Sequence, residues 1–295
     1  MKKQRNALRK RRYDLTSRRG YINDPSPKVS VIIPVYNERR RLAAVIREAY
    51  RAHSSIEVIV VINGSTDGSR RLAEKMGARI ISYAEPLGHD VGRAVGARAA
   101  LGDIVLFTDG DIVIPAVKLA AFIHAVESGV DVAMNTYIGP SKRSAVHRVI
   151  LAKHALTAFM QRPDLSGTSL TTIPHALSRR ALDAIGTEVL AVPPKALAAA
   201  VRSGLLVKAV EYVAVGAKNP LRRKGAGRDP VGDLIVGDHL EALHYWMEAA
   251  ALPAGPAEPA EEEENETAYE TKTERESEAA ESFRQEVTAA EDPED

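Results

Sequence analysis

The chain has 295 residues, enough for one large α/β domain or two small ones. It contains no cysteine, which excludes disulfides and thiolate metal sites and suits a cytoplasmic protein. Its net charge of +1 conceals an asymmetry: of 40 basic and 39 acidic residues, the stretch 254–295 holds 3 and 16, leaving 37 and 23 in 1–253.

The first 27 residues form a basic arm, with Lys2, Lys3, Arg5, the run Arg9-Lys10-Arg11-Arg12, and Arg18-Arg19. No apolar core follows it, so it does not read as a secretory signal. Nor does any run in the chain approach the roughly 18–20 apolar residues that cross a bilayer. The arm can approach an anionic membrane surface, or simply remain solvated. No nucleic-acid-binding motif accompanies it, and nucleic acid is not an expected partner.

From residue 28 the pattern changes to alternating strand and helix. Val29-Ser30-Val31-Ile32-Ile33-Pro34-Val35 reads as a β-branched strand ending in the polar turn Tyr36-Asn37-Glu38. A helix is expected from Arg39 to about Ala52, with Leu42, Val45, Ile46 and Ala49 on one apolar face. A second strand over 56–62 runs into Asn63-Gly64-Ser65-Thr66-Asp67-Gly68-Ser69, which is turn and helix-cap chemistry. A helix through Leu72 and Met76 and a third strand at 79–83 follow. Such alternation implies a parallel sheet with right-handed crossovers, and continuous apolar strands fit a sheet covered on both faces.

The next strand, Ile104-Val105-Leu106-Phe107, ends in Thr108-Asp109-Gly110-Asp111. Asp109 and Asp111 would then stand at the sheet edge where open α/β folds bind ligands. Carboxylates this close repel each other unless a cation lies between them, and hard oxygen ligands suit Mg²⁺ or Mn²⁺. An ion held by two protein carboxylates keeps positions for phosphate oxygens. On its own the same pattern is also a plain Asp-Gly turn with two solvated acids.

Taken together, VSVIIPVYNERRRL, VIVVINGSTDGS and FTDGD, at their spacing, resemble family 2 glycosyltransferases of the GT-A fold over about residues 28–115. Between them, Gly88, Arg93 and Gly96 match the glycine, arginine and glycine of that family's glycine-rich segment, while Ala94 replaces its usual asparagine. The resemblance implies a Rossmann-like, mostly parallel central sheet flanked by helices, with a nucleotide-sugar half at 28–115 and an acceptor half at 116–252. It places Pro34, Tyr36 and Glu38 at the nucleotide pocket, with Asn63 where an aspartate usually meets the base. The preceding position, usually polar, is Ile62 here. Asn63 can present an amide to a base edge, and Asn63-Gly64 can equally be an ordinary turn. Arg93 can reach a phosphate, hold a carboxylate of the ion site, or be a solvated helix residue.

The same resemblance implies a third ion ligand from a histidine late in the domain. The candidate is His239, in Gly237-Asp238-His239. On the acceptor side, Asp164 to Leu170, with Ser166, Gly167 and Thr168, and Pro174 to Arg180, with His175, resemble the segments that begin the acceptor site. Inverting members carry a Glu-Asp pair beyond them, one member of which is the general base. Here Ala191-Val192-Pro193-Pro194-Lys195 stands in that place, and proline accepts no proton. Either Glu188, Asp238 or His175 acts as the base, or configuration is retained. Ser166-Gly167 with the acid pair and His239 resembles retaining enzymes that make glucosyl- or mannosyl-glycerate derivatives, and this favours retention. Ser166 to Thr168 can also be a plain loop.

Between Pro140 and Gln161 an amphipathic helix is expected, carrying Lys142, Arg143, Arg148 and Lys153. Arg222-Arg223-Lys224 before Gly225-Ala226-Gly227 suggests a basic loop able to close over a diphosphate. Residues 253–295 are too acidic and too poor in large apolar side chains to fold alone, and are expected to be disordered. The function implied is metal-dependent transfer of a sugar from a nucleotide-sugar donor to a hydroxyl acceptor. Its rivals are a catalytically weak nucleotide-sugar-binding protein and a nucleotidyltransferase, which would need a glycine-rich phosphate loop where Val35-Tyr36-Asn37-Glu38 stands.

Overall fold

The computed structural model describes residues 21–139, 146–216 and 229–251. Most of the basic arm, Lys142 and Arg143, the 222–227 loop and the acidic tail lie outside them.

Strand β1 (Val29–Val35) leads into helix α1 (Arg39–Tyr50), β2 (Ile56–Asn63) into α2 (Ser69–Lys75), and β3 (Arg79–Tyr83) into α3 (Val91–Ala99). Then follow β4 (Ile104–Phe107), α4 (Ala116–Glu127), β5 (Val132–Asn135) and α5 (Arg148–Phe159). The acceptor side continues with β6 (His175–Ser178), α6 (Arg179–Ile185), α7 (Pro193–Arg202), β7 (Val207–Glu211) and α8 (Pro230–Ala251). The expected elements over 28–115 all appear, their ends within a few residues of the periodicity.

Among the described residues, seven strands form one sheet in the order β3-β2-β1-β4-β6-β5-β7. Strands β1 to β4 pair in parallel, as do β5 and β7, whereas β6 runs antiparallel to both its neighbours. Helices cover both faces, which is why β1, β2 and β4 are apolar without alternation and almost wholly buried. Chain order reverses between β1 and β4, and the carboxyl ends of strands at such a reversal open a crevice. Glycine permits the close approach there: a Cβ on Gly96 of α3 would lie 2.2 Å from Cγ2 of Ile32.

Among the described residues, no helix is long and apolar enough to cross a membrane.

Candidate active site

Asp109 and Asp111 follow directly from β4 and are both half-buried. Gly110 lets their turn press against β1: a Cβ there would lie 3.0 Å from Cγ2 of Val35 and 3.4 Å from the Pro34 carbonyl. Arg41 of α1 donates from Nη1 to the Asp111 carbonyl at 2.8 Å. Pro34 and Glu38 are half-buried beside this turn, whereas Tyr36 is exposed.

Arg93 of α3 is 4% exposed. One guanidinium nitrogen bonds Asp90, and Nη2 donates to Oδ1 of Asp109 at 3.1 Å. Of the roles the sequence left open, the hold on a carboxylate of the acid pair is the one this geometry displays. Buried with two carboxylates, it orients Asp109 and compensates the buried charge of Asp90.

Asn63 departs from the expected base contact. Its Nδ2 donates to the Gly88 carbonyl at 2.8 Å, and its Oδ1 accepts from the Leu87 amide. At 8% exposure the amide clamps the 87–88 turn. The backbone at Gly88, with φ of 115°, is thereby tied to the end of β2.

The clamp sets His89 and Asp90 beside the acid pair, and the sequence reading gave neither a role. His89 Nδ1 lies 3.1 Å from Asp90 Oδ2. Burial and the charge of Arg93 lower the His89 pKa, and Asp109, Asp238 and Asp111 oppose that shift. A histidine followed by an aspartate just before a helix was the available signal, but their convergence with Asp109 depends on the fold.

His239 does not join the carboxylates in the expected three-ligand set. Among the described residues, no three His, Asp or Glu side chains are grouped to hold an ion. His239 is fully buried in α8, with Nδ1 2.6 Å from the Ile235 carbonyl. Donation there fixes the Nδ1–H tautomer and leaves the buried Nε2 without a hydrogen-bond partner. Burial, the larger cause, and the charge of Lys153 bring its pKa to about 4. Two hard carboxylates at a strand end remain a fitting donor set for a divalent ion completed by phosphate oxygens.

His175, expected as an acceptor contact or base, lies inside the sheet. It pairs with Phe107 across β4 and β6, stacks on that ring at 5.0 Å, and is 1% exposed. Its Nδ1 lies 3.2 Å from the Thr172 carbonyl, and burial lowers its pKa to about 3. A proton acceptor must reach the hydroxyl it serves, and this ring is sealed in the sheet.

Ser166 is exposed with φ of 46°, while Gly167 and Thr168 are buried. The Gly167 amide donates to Thr157 Oγ1 at 3.2 Å, and Lys153 Nζ donates to Thr172 Oγ1 at 2.7 Å, so α5 straps this loop at two points. Pro193 and Pro194 are buried at the start of α7, Glu188 is exposed, and Asp238 is half-buried with its pKa raised by burial and Glu241.

Residues 30–186 match the family model for glycosyl transferase family 2, more than half the chain. The protein belongs to that family. The match reaches past the donor half into α6, so family 2 membership covers the acid pair, the 166–168 loop and His175 alike.

Among curated proteins, this family 2 chain is similar to the undecaprenyl-phosphate 4-deoxy-4-formamido-L-arabinose transferases of Yersinia pestis (strain Pestoides F) and Yersinia pseudotuberculosis. Each is 31% identical over 121 residues, covering 38% of this chain and 37% of the relative. The matched region thus spans little more than a third of those relatives.

Among solved structures, glucosyl-3-phosphoglycerate synthase from Mycobacterium tuberculosis with Mn²⁺, UDP and glucosyl-3-phosphoglycerate superposes with a TM-score of 0.54 at 23% identity. That match covers 74% of this chain and 80% of the other. The UDP complex of the same enzyme gives 0.55 at 21% identity, with the same coverage. These likenesses establish the shared GT-A fold.

Proposed function

We propose that this protein transfers a sugar from a nucleotide-sugar donor to a hydroxyl-bearing acceptor, with Mg²⁺ or Mn²⁺ held at Asp109 and Asp111. The observation that carries the reading is the acid pair at the carboxyl end of β4, next to the reversal of strand order, in a family 2 chain. A divalent ion there would neutralise charge on the departing diphosphate. Arg93 holds Asp109 in place for it, while Pro34, Tyr36 and Glu38 border the nucleotide side. The neighbours' complexes with Mn²⁺, UDP and UDP-glucose support both the ion and the donor class.

On the acceptor side the reading is transfer with retention at the exposed Ser166 and the Gly167-Thr168 loop. What supports it is the replacement of the expected Glu-Asp pair by Pro193 and Pro194, which are buried, as is His175. Asp238→Asn separates the outcomes. Retention leaves turnover within a few-fold, whereas inversion with Asp238 as base costs about 10²–10⁴-fold. Anomeric configuration of the product, read by proton NMR, decides directly. For location, a cytoplasmic protein touching anionic membrane through residues 2–19 is the reading that the arm's charge supports, and vesicle co-sedimentation tests it.

The central experiment incubates the full chain and Mn²⁺ with a panel of nucleotide-sugars and hydroxyl acceptors. Release of nucleoside diphosphate, lost in Asp111→Ala, supports sugar transfer. Release of pyrophosphate would indicate nucleotidyl transfer. Binding without any turnover would leave a nucleotide-sugar-binding protein.

A further inference from the structure

Four side chains, His89, Asp90, Arg93 and Asp109, form a line into the site. His89 Nδ1 lies 3.1 Å from Oδ2 of Asp90, the other oxygen of Asp90 bonds Arg93, and Arg93 holds Asp109 at 3.1 Å. Asp90 precedes α3 but makes no capping bond with its side chain, so its carboxylate serves only these two partners among the described residues. The two inner members are about 5% exposed, whereas the His89 side chain is 47% exposed. The line therefore ends in an imidazole at the surface of the crevice. Its Nδ1 is fixed from behind by a carboxylate. A carboxylate behind a histidine sets the ring's orientation and favours its cationic form when an anion lies in front.

The charged groups that bear on this ring are Asp90 in its own turn, Arg93 of α3, Asp109 and Asp111 after β4, and Asp238 of α8. A diphosphate entering among three carboxylates needs positive charge to meet it. Arg93 is poorly placed to supply this, because both terminal nitrogens of its buried guanidinium are already bonded to Asp90 and Asp109.

We propose that His89, oriented by Asp90, is a binding residue for the diphosphate of the bound nucleotide, donating from Nε2 to a phosphate oxygen. The proposal rests on the nucleotide-sugar reading and adds a contact to it. Phosphate oxygens only accept, so the contact requires the imidazolium. Nucleoside diphosphate affinity should therefore fall as pH rises through the titration of His89 in the complex.

The test titrates the full chain with UDP, GDP, ADP, CDP and dTDP, and with the matching nucleosides, by calorimetry between pH 5.5 and 8.5, with and without Mn²⁺. For whichever diphosphate binds, His89→Gln should weaken it about tenfold or more at pH 6, the cost of one charge-assisted hydrogen bond. The variant should also flatten the pH slope, leave nucleoside affinity unchanged, and leave Mn²⁺ binding without nucleotide, read by electron paramagnetic resonance, at the wild-type level. His89→Asn, shorter and uncharged, should repeat the loss if the variants' unfolding midpoints match the wild type.

Wild-type diphosphate affinity in both variants at every pH overturns the proposal alone. Loss of nucleotide-free Mn²⁺ binding also overturns it, by making His89 an ion ligand. Binding of no diphosphate to the wild-type chain overturns the proposal and the nucleotide-sugar reading together.

Discussion

Arg93 and Asp109, 16 residues apart in sequence, meet at 3.1 Å, so one carboxylate of the acid pair is oriented by the helix that precedes its strand. The guanidinium is simultaneously the counter-ion of the buried Asp90. Removing it does two things at once: it loosens Asp109 and strands a buried charge.

Arg93→Met should therefore destabilise the fold by about 3 kcal/mol, the cost of breaking a buried pair by deleting one partner. Arg93→Lys should recover part of that stability but not the two-sided grip, because an ammonium lacks the planar fork. Urea unfolding of both variants, alongside diphosphate release, checks the pair. Equal stability of Arg93→Met and wild type would show that Asp90 needs no counter-ion.

Lys153 is 7% exposed, and its ammonium donates to the neutral Thr172 hydroxyl. Burial lowers its pKa to about 8, so the charged form is penalised in the folded state. That penalty is fully present below pH 8 and disappears as pH rises towards the unfolded value near 10.5. Lys153→Met should thus be more stable than wild type at pH 7, by at most about 3 kcal/mol, with the gap closing by pH 10. Urea midpoints at the two pH values measure this. A gap that stays constant with pH would mean that Lys153 titrates normally.

His175 and His239 are buried as neutral rings with pKa values of about 3 and about 4. Each favours folding above the ordinary imidazole value near 6.5, and that contribution is lost as pH falls towards the folded values. Stability should decline below pH 6.5, by a few kcal/mol in total by pH 4. His175→Gln should show a shallower decline than wild type, although it starts from a lower stability at pH 7. A parallel decline in wild type and variant would place the acid sensitivity elsewhere.

Gly96 faces β1, where an added Cβ would lie 2.2 Å from Cγ2 of Ile32. Both groups are buried in the α3–β1 contact, leaving little room to relax. Gly96→Ala should cost about 2 kcal/mol through overpacking, outweighing the gain in helix propensity. Thermal unfolding reads the cost. A neutral or stabilising result would show that α3 can shift away from β1.

Local pattern was enough to place the strands and helices of the donor half. A strand apolar on both faces and a helix with one apolar stripe each bury themselves in one characteristic way, and Ile104 to Phe107 followed by two acids marks a sheet edge whatever lies beside it. The same information located Asp109 and Asp111, while the resemblance to family 2 implied the missing carboxylate pair at Pro193 and Pro194. It could not assign partners. Asn63 clamps a turn formed by Leu87 and Gly88, and His175 stacks on Phe107, because strand register brought them there. Periodicity says that a residue is buried or exposed, but not against what.

The sequence by itself therefore determined the α/β architecture and the acid pair, since both follow from short-range order, and the likeness of its motifs to family 2 glycosyltransferases pointed to the family. Only the tertiary structure decided that Arg93 serves Asp109, that His239 and His175 are sealed in packing, and that His89 and Asp90 reach the crevice. Those outcomes depend on pairing and packing between segments distant in the chain. A hydrogen bond or a buried charge has meaning only once both of its ends have been brought together.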